Sequence, residues 1–443
     1  MYFAIFHFFN REFVPDGTNI ADRERSMVIR MKQKLFSKDF TLVIIGQIIS
    51  LFGNAAIRFA LPLYLLNQTG SSALYGVVTA CAFLPAVLLS PVGGIVADRV
   101  NKRNIMVALD FFTAFLVFSF SMLMGGKNLV LLLTVTLMLL YGIAGAYQPA
   151  VSASIPALVV QEQLMAANSV INMIGSLAAL LGPVLGGILY SAYGLEVVLA
   201  VCTVCFLFSA VMEIFIRIPF VKQEKGGRLW KIVGKDFGES FRFIRHGKPV
   251  IGKAVLLACG INLFMSSLIN VGMPYLITEV FALEAEWANR LYGFAQGALA
   301  AGGLAGGIGA GVFAKKLSMQ KAGNLLVISA LCLLPAGGAL LLCSSGMINY
   351  LVMTACCFLI MVCSTIFSVQ VMSFVQAGTP PELIGKVIAL MLSVSMCANP
   401  LGSVLYGVLF EVCTGCEYIV VFFAGIVSFI IALRARQIFK NGE

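Results

Sequence analysis

Twelve apolar stretches, each long enough to cross a membrane, dominate this chain of 443 residues. A helix that spans the hydrocarbon core of a bilayer needs about 20 predominantly apolar residues. The pattern predicts an all-α membrane protein with twelve transmembrane helices. The predicted spans are residues 40–66, 73–97, 104–124, 129–150, 166–190, 196–216, 250–276, 291–313, 322–344, 349–371, 387–410 and 418–434.

The basic residues fix the predicted orientation of these spans. Threaded as twelve helices, the chain places all but three of its 30 Lys and Arg residues on one side; the exceptions are Arg58, Lys127 and Arg290. Because short cytoplasmic loops carry the excess of Lys and Arg, we expect a multi-pass protein of the cytoplasmic (plasma) membrane with both termini in the cytoplasm. The net charge of +10 lies in short loops that meet anionic lipid, so no nucleic-acid partner is expected.

The longest polar interruption divides the predicted spans six and six. We expect a flexible leader over residues 1–35, six-helix bundles over 36–217 and 250–436, a cytoplasmic linker over 218–249 and a tail over 437–443. Apolar residues recur every three or four positions within the linker, which predicts a basic amphipathic helix on the membrane surface. Met1 and Met31 are both candidate starts of the chain.

The two halves look like copies of one another. Gly182–Tyr190 aligns without gaps to Gly402–Phe410, at an offset of 220 residues, and Leu61-Pro62 matches Met273-Pro274 at an offset of 212. Paired repeats are typical of transporters that move one half against the other around a midplane site.

The loop after the second predicted span reads Gly-Ile-Val-Ala-Asp-Arg-Val-Asn-Lys-Arg. Gly94 permits close helix packing, and Asp98 can pair with a cation or a helix N-terminus in the other half. Asn101 suits a left-handed turn. A purely topogenic loop would explain the cations but neither Gly94 nor Asp98, so we expect a gating role. The predicted gating residues here are Gly94, Asp98, Arg99, Asn101, Lys102 and Arg103.

A second predicted gating segment lies in the fifth span, at Gly182, Pro183, Gly186 and Gly187. Proline removes a backbone donor and kinks the helix, whereas the glycines provide a flat packing face. The Gly94–Arg103 loop resembles the cytoplasmic signature of the major facilitator superfamily, and Gly182–Gly187 resembles the motif that marks exporters within it.

Further segments resemble the macrolide-efflux-type branch of that superfamily, which is itself similar to siderophore exporters. They are Ile155-Pro156, Ala167-Asn168 and residues 379–387. The resemblance implies a two-bundle fold and antiport-type efflux linked to multidrug or macrolide resistance. One departure weakens the implied proton coupling, because no Lys or Arg occurs between Lys127 and Arg217, where proton-coupled drug exporters of the superfamily carry an arginine.

Polar residues at intervals of three and four form one stripe on the first span, and three of them match residues of the seventh span at the offset of 212. Because unsatisfied polar groups are costly against lipid, we expect both stripes to face one cavity. The predicted substrate-binding residues are Gln47, Ser50, Asn54, Arg58, Asn262, Ser266, Asn270, Gln296, Gln370 and Asn399.

Three ionisable residues inside the spans leave alternatives open. Arg58 either extends outward to the interface or faces the cavity and attracts an anionic or carbonyl-rich group. Asp110 and Glu213 are proton-coupling candidates, because burial favours the neutral form of a carboxyl group. Asp110 is equally suited to pair with Arg99 or Arg103 as structural support.

Together these features predict secondary active efflux of amphipathic small molecules, driven by a proton or other ion gradient. Alternatives are an importer or lysolipid flippase of the same fold, and a non-transporting membrane receptor. The spans hold no nucleophile–base pair and no phosphate-binding loop, so we expect no enzyme activity, and neither a cofactor nor a bound metal. A monomer is expected.

Overall fold

The structure is a computed structural model, and it describes residues 37–126, 128–160, 163–218, 238, 241–312, 319–380 and 383–440. Within these ranges the chain forms helices and no strands. The predicted leader and most of the predicted linker helix lie outside the described residues.

The helices follow the predicted spans closely. Pro249–Val280 is one continuous helical span that contains three π-helical turns, at Asn262–Ser266, Leu268–Gly272 and Leu276–Val280. The helices are α1 Lys38–Thr69, α2 Ser72–Arg99, α3 Lys102–Leu123, α4 Leu129–Leu158, α5 Leu164–Ile214, α6 Pro249–Val280, α7 Ala285–Val312, α8 Met319–Leu331, α9 Leu333–Leu342, α10 Gly346–Gly378, α11 Ile384–Val412 and α12 Glu417–Lys440.

Local sequence explains several helix ends. Ser37 and Ser71 cap α1 and α2, where each side chain accepts a hydrogen bond from a backbone N–H of the first turn. Gly70 ends α1 in a left-handed conformation, with φ of 62°. The short connection at residues 70–71 defines what we call the α1–α2 end of the molecule, as opposed to the α2–α3 end at Val100 and Asn101.

Helix α5 contains two predicted spans joined at one residue. Gly194 has φ of 77° and ψ of −180°, a region open essentially to glycine alone. Before this break α5 packs on α1 near Ala55. After the break, Phe206 of α5 packs against Gly53 of α1. The chain therefore reverses direction at Gly194 without a loop.

Packing supports the predicted repeat at the level of individual contacts. A Cβ on Gly182 would meet Ala55, and a Cβ on Gly402 would meet Ser267. Gly402 and Ser267 are the counterparts of Gly182 and Ala55 at the two predicted offsets. The same small-residue contact thus joins α5 to α1 and α11 to α6.

The surface of the helices is apolar over most of its length. Large hydrophobic side chains such as Phe115, Ile308 and Leu342 are well exposed, as expected where lipid replaces water. Among the described residues, nine helices are long and apolar enough to cross a membrane, and one of them, Ala167–Ile214, is long enough for two crossings. The chain is a multi-pass membrane protein, while the total of twelve spans stays a prediction.

Candidate functional site

A cavity of about 290 Å³ lies between the N-terminal helices α1, α2, α4 and α5 and the C-terminal helices α6 and α7. Both groups of helices contribute polar side chains to its wall, so movement of one group against the other would reshape it. The lining residues are Ala55, Arg58, Phe59, Pro62, Tyr75, Thr79, Phe83, Tyr141, Ala179, Pro183, Asn270, Tyr292 and Gln296. We call this the central cavity.

Arg58 lies in the wall of the central cavity. Its Nη2 atom donates a hydrogen bond to the backbone oxygen of Leu140 (3.1 Å), and its Cζ atom lies 4.0 Å from the centroid of the Tyr141 ring. The Nε atom is buried and has no hydrogen-bond partner among the described residues. The side chain therefore points towards α4 and the cavity, and the alternative of outward extension is wrong.

Two tyrosines that were not predicted from the sequence line this cavity, one from each group of helices. Tyr75 and Tyr292 are counterparts in the two halves, because the glycines that follow them, Gly76 and Gly293, meet Gly407 and Gly187, which are related by the offset of 220. Thr79 and Gln296 share the same spacing and also line the cavity. Both tyrosines occur in a Leu-Tyr-Gly triplet, but that signal is not specific, because the triplet also occurs at residues 140–142 and 405–407.

The C-terminal side of this wall is preorganised by contacts of Tyr292. The amide nitrogen of Gln296 donates to Tyr292 Oη (3.0 Å), and the Tyr292 ring stacks on Phe59 of α1 with centroids 4.9 Å apart. The cavity thus combines an aromatic surface with hydroxyl and amide groups.

Gln47 and Ser50 do not reach the central cavity, in contrast to the predicted polar stripe. Both are almost fully buried among the N-terminal helices. Gln47 Nε2 donates to Tyr147 Oη (2.7 Å), which donates in turn to Glu213 Oε1 (2.6 Å), and Ser50 Oγ donates to Asp110 Oδ1 (3.1 Å). We call these five residues the buried carboxyl network.

Each of the two carboxyl groups in this network has one oxygen atom that could accept a further hydrogen bond. Asp110 Oδ2 and Glu213 Oε2 are buried and have no hydrogen-bond partner within the described part of the chain. The alternative in which Asp110 pairs with Arg103 is wrong, because Asp110 Oδ1 accepts from Ser50 and Oδ2 has no partner among the described residues. The side chain of Arg99 lies outside the described residues. No described cation forms an ion pair with either carboxyl group, and their role in proton coupling stays a prediction.

The predicted stripe on α6 is split between two places. Asn270 lines the central cavity, whereas Asn262 and Ser266 line a second cavity of about 350 Å³ between α6, α10 and α11. Asn262 and Ser266 lie in the first π-helical turn of α6, and Asn270 lies in the second. The second cavity also carries Ser364, Thr365, Ser368 and Ser395 beside Met361, Met372 and Met391.

Three remaining candidates line neither cavity. The Asn54 amide donates to the backbone oxygen of Ser50 one turn earlier (3.0 Å). Both amide atoms of Gln370 and the side-chain oxygen of Asn399 are buried without a hydrogen-bond partner among the residues described. Their predicted role in binding substrate stays a prediction.

The α2–α11 seam joins the two groups of helices at the α1–α2 end. Glu411 Oε2 accepts hydrogen bonds from Ser71 Oγ (3.0 Å), Ser72 Oγ (3.3 Å) and the backbone N–H of Ala73 (3.2 Å). A carboxylate at this position also interacts favourably with the positive end of the α2 dipole. A Cβ on Gly407 would lie 2.7 Å from the backbone oxygen of Ser72, so the two helices are in close backbone contact.

The α5–α7 seam is its counterpart at the same end. A Cβ on Gly293 would lie 2.8 Å from the backbone oxygen of Pro183 and 3.4 Å from Gly187. Ser191 Oγ donates to the backbone oxygen of Glu286 (2.7 Å). The predicted gating glycines therefore divide: Gly182 and Gly186 face α1, whereas Gly187 faces α7.

The structure corrects the expectation for Asn101. Its φ of −58° is not left-handed, and its side chain caps α3 by accepting a hydrogen bond from Arg103 N (3.0 Å). Capping gives asparagine another reason to occupy this position. Gly94, Asp98 and Arg99 lie in α2, but their side-chain surroundings are outside the described residues, so their gating role stays a prediction.

A cavity between two sets of helices, with seams at one end, defines a membrane transport protein. The profile of the Major Facilitator Superfamily matches residues 43–403, and the chain belongs to that superfamily.

Individual relatives agree with this assignment. The chain is 24% identical over 368 residues to macrolide efflux protein A of Streptococcus pyogenes, covering 81% of this chain and 86% of that protein. It is 28% identical over 242 residues to the lysophospholipid transporter LplT of Photorhabdus laumondii, covering 52% and 57%. A crystal structure of the nucleoside transporter NupG is similar in fold, with a TM-score of 0.72, 12% identity, and coverage of 91% and 100%. The resemblance to the macrolide-efflux-type branch is supported, and no enzyme family is indicated.

Proposed function

We propose that this protein is a secondary active exporter of amphipathic small molecules, which works by alternating access as a monomer. The observation that carries the proposal is the central cavity, which draws Arg58 and Tyr141 from one group of helices and Asn270 and Gln296 from the other. A site shared between two repeats is what a rocking mechanism requires.

The distribution of basic residues assigns the α1–α2 end to the outside of the cytoplasmic membrane. The seam contacts of Glu411 and Gly293 then lie on the outer side. A transporter closed on its outer side exchanges cargo with the cytoplasm, as both exporters and importers do in one part of their cycle. Export is favoured by the Gly182–Gly187 motif and by the name of the macrolide efflux relative.

Proton coupling is assigned to the buried carboxyl network. Asp110 on α3 and Glu213 on α5 are linked through Ser50 and Tyr147 to α1 and α4, so a proton taken up here would alter contacts between four helices. This route does not need the arginine that is absent from the fourth span. The gradient, rather than ATP, would supply the energy.

The test uses the purified full chain in liposomes with an imposed pH gradient. The radiolabelled test cargoes are erythromycin, a cationic macrolide, and the anion 1-naphthaleneacetate. We expect saturable movement of at least one of them, which stops when an ionophore collapses the gradient; liposomes without protein are the control. The matching assay in cells is a resistance profile in a host that lacks its own pumps. Absence of any gradient-dependent solute movement would instead support a receptor.

A lysolipid flippase is the second candidate, because a lysophospholipid transporter matches 52% of this chain. Lysophosphatidylethanolamine in the same liposomes separates the two functions. Movement of the lysolipid alone would favour the flippase, and uptake towards the cytoplasmic face would favour an importer.

A further inference from the structure

The central cavity has an unbalanced charge. Its described lining consists of aromatic, aliphatic, amide and hydroxyl side chains together with one charged residue, Arg58. An arginine side chain stays protonated at any physiological pH. The cavity therefore carries a positive charge that nothing in its described wall offsets.

Arg58 has neutral partners in its present contacts. Its guanidinium group meets the backbone oxygen of Leu140 and the face of the Tyr141 ring, and no described carboxylate forms an ion pair with it. The carboxyl groups of Asp110 and Glu213 are engaged by Ser50 and Tyr147 instead. A buried cation that lacks an anionic partner is strongly destabilising, and a bound anion would remove that cost.

Other groups in the same wall suit the rest of an anionic ligand. Hydroxyl and amide donors on Tyr75, Thr79 and Gln296 can hydrogen-bond an oxyanion that a single guanidinium does not fully satisfy. Phe59 and Phe83 supply an apolar surface for a ring or chain. The arrangement matches a small molecule with one oxyanion at one end and an apolar body at the other.

We propose that the central cavity selects amphiphiles carrying one carboxylate or phosphate, held by the Arg58 guanidinium, and disfavours cationic amphiphiles of the same shape. The proposal rests on the exporter function and specifies its cargo. Arg58 is the residue that determines this specificity, since it supplies the charge and the free Nε donor.

Matched naphthalene probes test the selection by equilibrium binding to the purified full chain in phosphatidylcholine nanodiscs. The probes are 1-naphthaleneacetate, 1-naphthyl phosphate, the neutral 1-naphthaleneacetamide and the cationic 2-(1-naphthyl)ethylammonium. We expect both anions to bind about tenfold or more tightly than the amide and the ammonium, as a charge-assisted hydrogen bond provides. Lysophosphatidate is added as a competitor, so that a lipid source of the phosphate group is distinguished from a soluble one.

Three variants test whether Arg58 causes the preference for anions. Arg58→Gln is expected to abolish the preference for anions, so that the affinities of the four probes lie within about twofold of each other. Arg58→Lys is expected to keep the preference but to bind the anions more weakly. Arg434→Gln, which removes an exposed arginine of α12, is the charge-matched control and should leave it intact. Should Arg58→Gln not fold, unchanged anion binding in Arg58→Lys would overturn the assignment.

The outcomes separate this inference from the exporter function. Equal or tighter binding of the ammonium, or no saturable binding of either anion, overturns the anionic selection. Anion binding that depends on Arg58, without transport in liposomes under any gradient, overturns the exporter and leaves the selection standing.

Discussion

The N-terminal and C-terminal helices share one backbone arrangement but bury different types of polar side chain. Asp110 and Glu213 lie deep among α1–α5 with a tyrosine and a glutamine between them. In the corresponding region of the described C-terminal helices, the second cavity is lined by hydroxyl groups and methionines. Among the described C-terminal helices the buried carboxylate is Glu417, which lies outside this cavity as the first residue of α12 and accepts a hydrogen bond from Gly415 N (2.8 Å).

The two halves therefore share the glycine contacts of their seams but differ in their buried ionisable groups. Gly76 and Gly293 occupy equivalent places, and each meets a glycine of the opposite half, at Gly407 and Gly187. Symmetric seams allow the halves to move as equal bodies. The proposed proton-coupling carboxyl groups, in contrast, lie in one half, so we expect the two halves to contribute unequally to energy coupling.

The largest expected effect comes from removing the carboxyl groups of the N-terminal half. Asp110→Asn combined with Glu213→Gln should lower pH-driven transport by about tenfold or more, because an amide cannot release a proton. The measurement is transport in liposomes at a fixed membrane potential with a varied pH gradient.

The matched control for that experiment is Glu417→Gln, which removes the buried carboxylate of the C-terminal half and should preserve pH-driven transport. Full pH dependence in the double variant would remove Asp110 and Glu213 from the proton path. The asymmetry between the halves would then have to lie elsewhere.

An intermediate effect is expected at the symmetric glycines. Gly293→Ala would place a methyl group 2.8 Å from Pro183 O, and Gly407→Ala would place one 2.7 Å from Ser72 O. Overpacking of this kind costs about 1–3 kcal/mol, so each variant should weaken closure of the α1–α2 end. Faster hydrogen–deuterium exchange at residues 284–293 or 71–76 would report the opening.

Gly338→Ala is the control for both seams, because a Cβ at Gly338 meets no atom within 4 Å. If the repeats are mechanically equivalent, the two seam variants should accelerate exchange to a similar degree. Opening at one seam alone would show that the halves do not move as equal bodies.

The smallest effect is expected at Glu411, which has no equivalent carboxylate contact at the α5–α7 seam in the residues described. Glu411→Gln keeps an acceptor oxygen but loses the charge at the N-terminus of α2, an interaction of about 0.3–1 kcal/mol. Hydrogen exchange at residues 71–75 should accelerate less than about fivefold. Glu196→Gln, an exposed site at the same end, is the control; equal acceleration there would indicate a general charge effect.

Much of the fold follows from sequence, because hydropathy and loop charge act locally. The helix bounds agree with the apolar stretches, and the offsets of 220 and 212 residues reappear as the contacts of Gly182 with Ala55 and Gly402 with Ser267. For Arg58 the sequence left two alternatives, the cavity and outward extension to the interface, because either gives a charged residue inside a span a polar environment.

The site was only partly predictable because α1 has two buried faces. Spacing by three and four put Gln47 and Ser50 in line with Arg58, but one part of that line packs on α3 and α4 and another faces the cavity. Spacing does not reveal which neighbour a face meets. Tyr75 and Tyr292 were missed because a tyrosine in an apolar run resembles a lipid-facing residue.

Gly194 is the single residue that connects the two parts of α5, so no loop separates them. One side of this residue leads to Gly187 at the α5–α7 seam, and the other leads to Glu213 in the buried carboxyl network. Since a single residue joins them, the two rods cannot slide independently along the membrane normal. Movement at the α1–α2 end would therefore be transmitted to the proposed proton-coupling site through the covalent backbone.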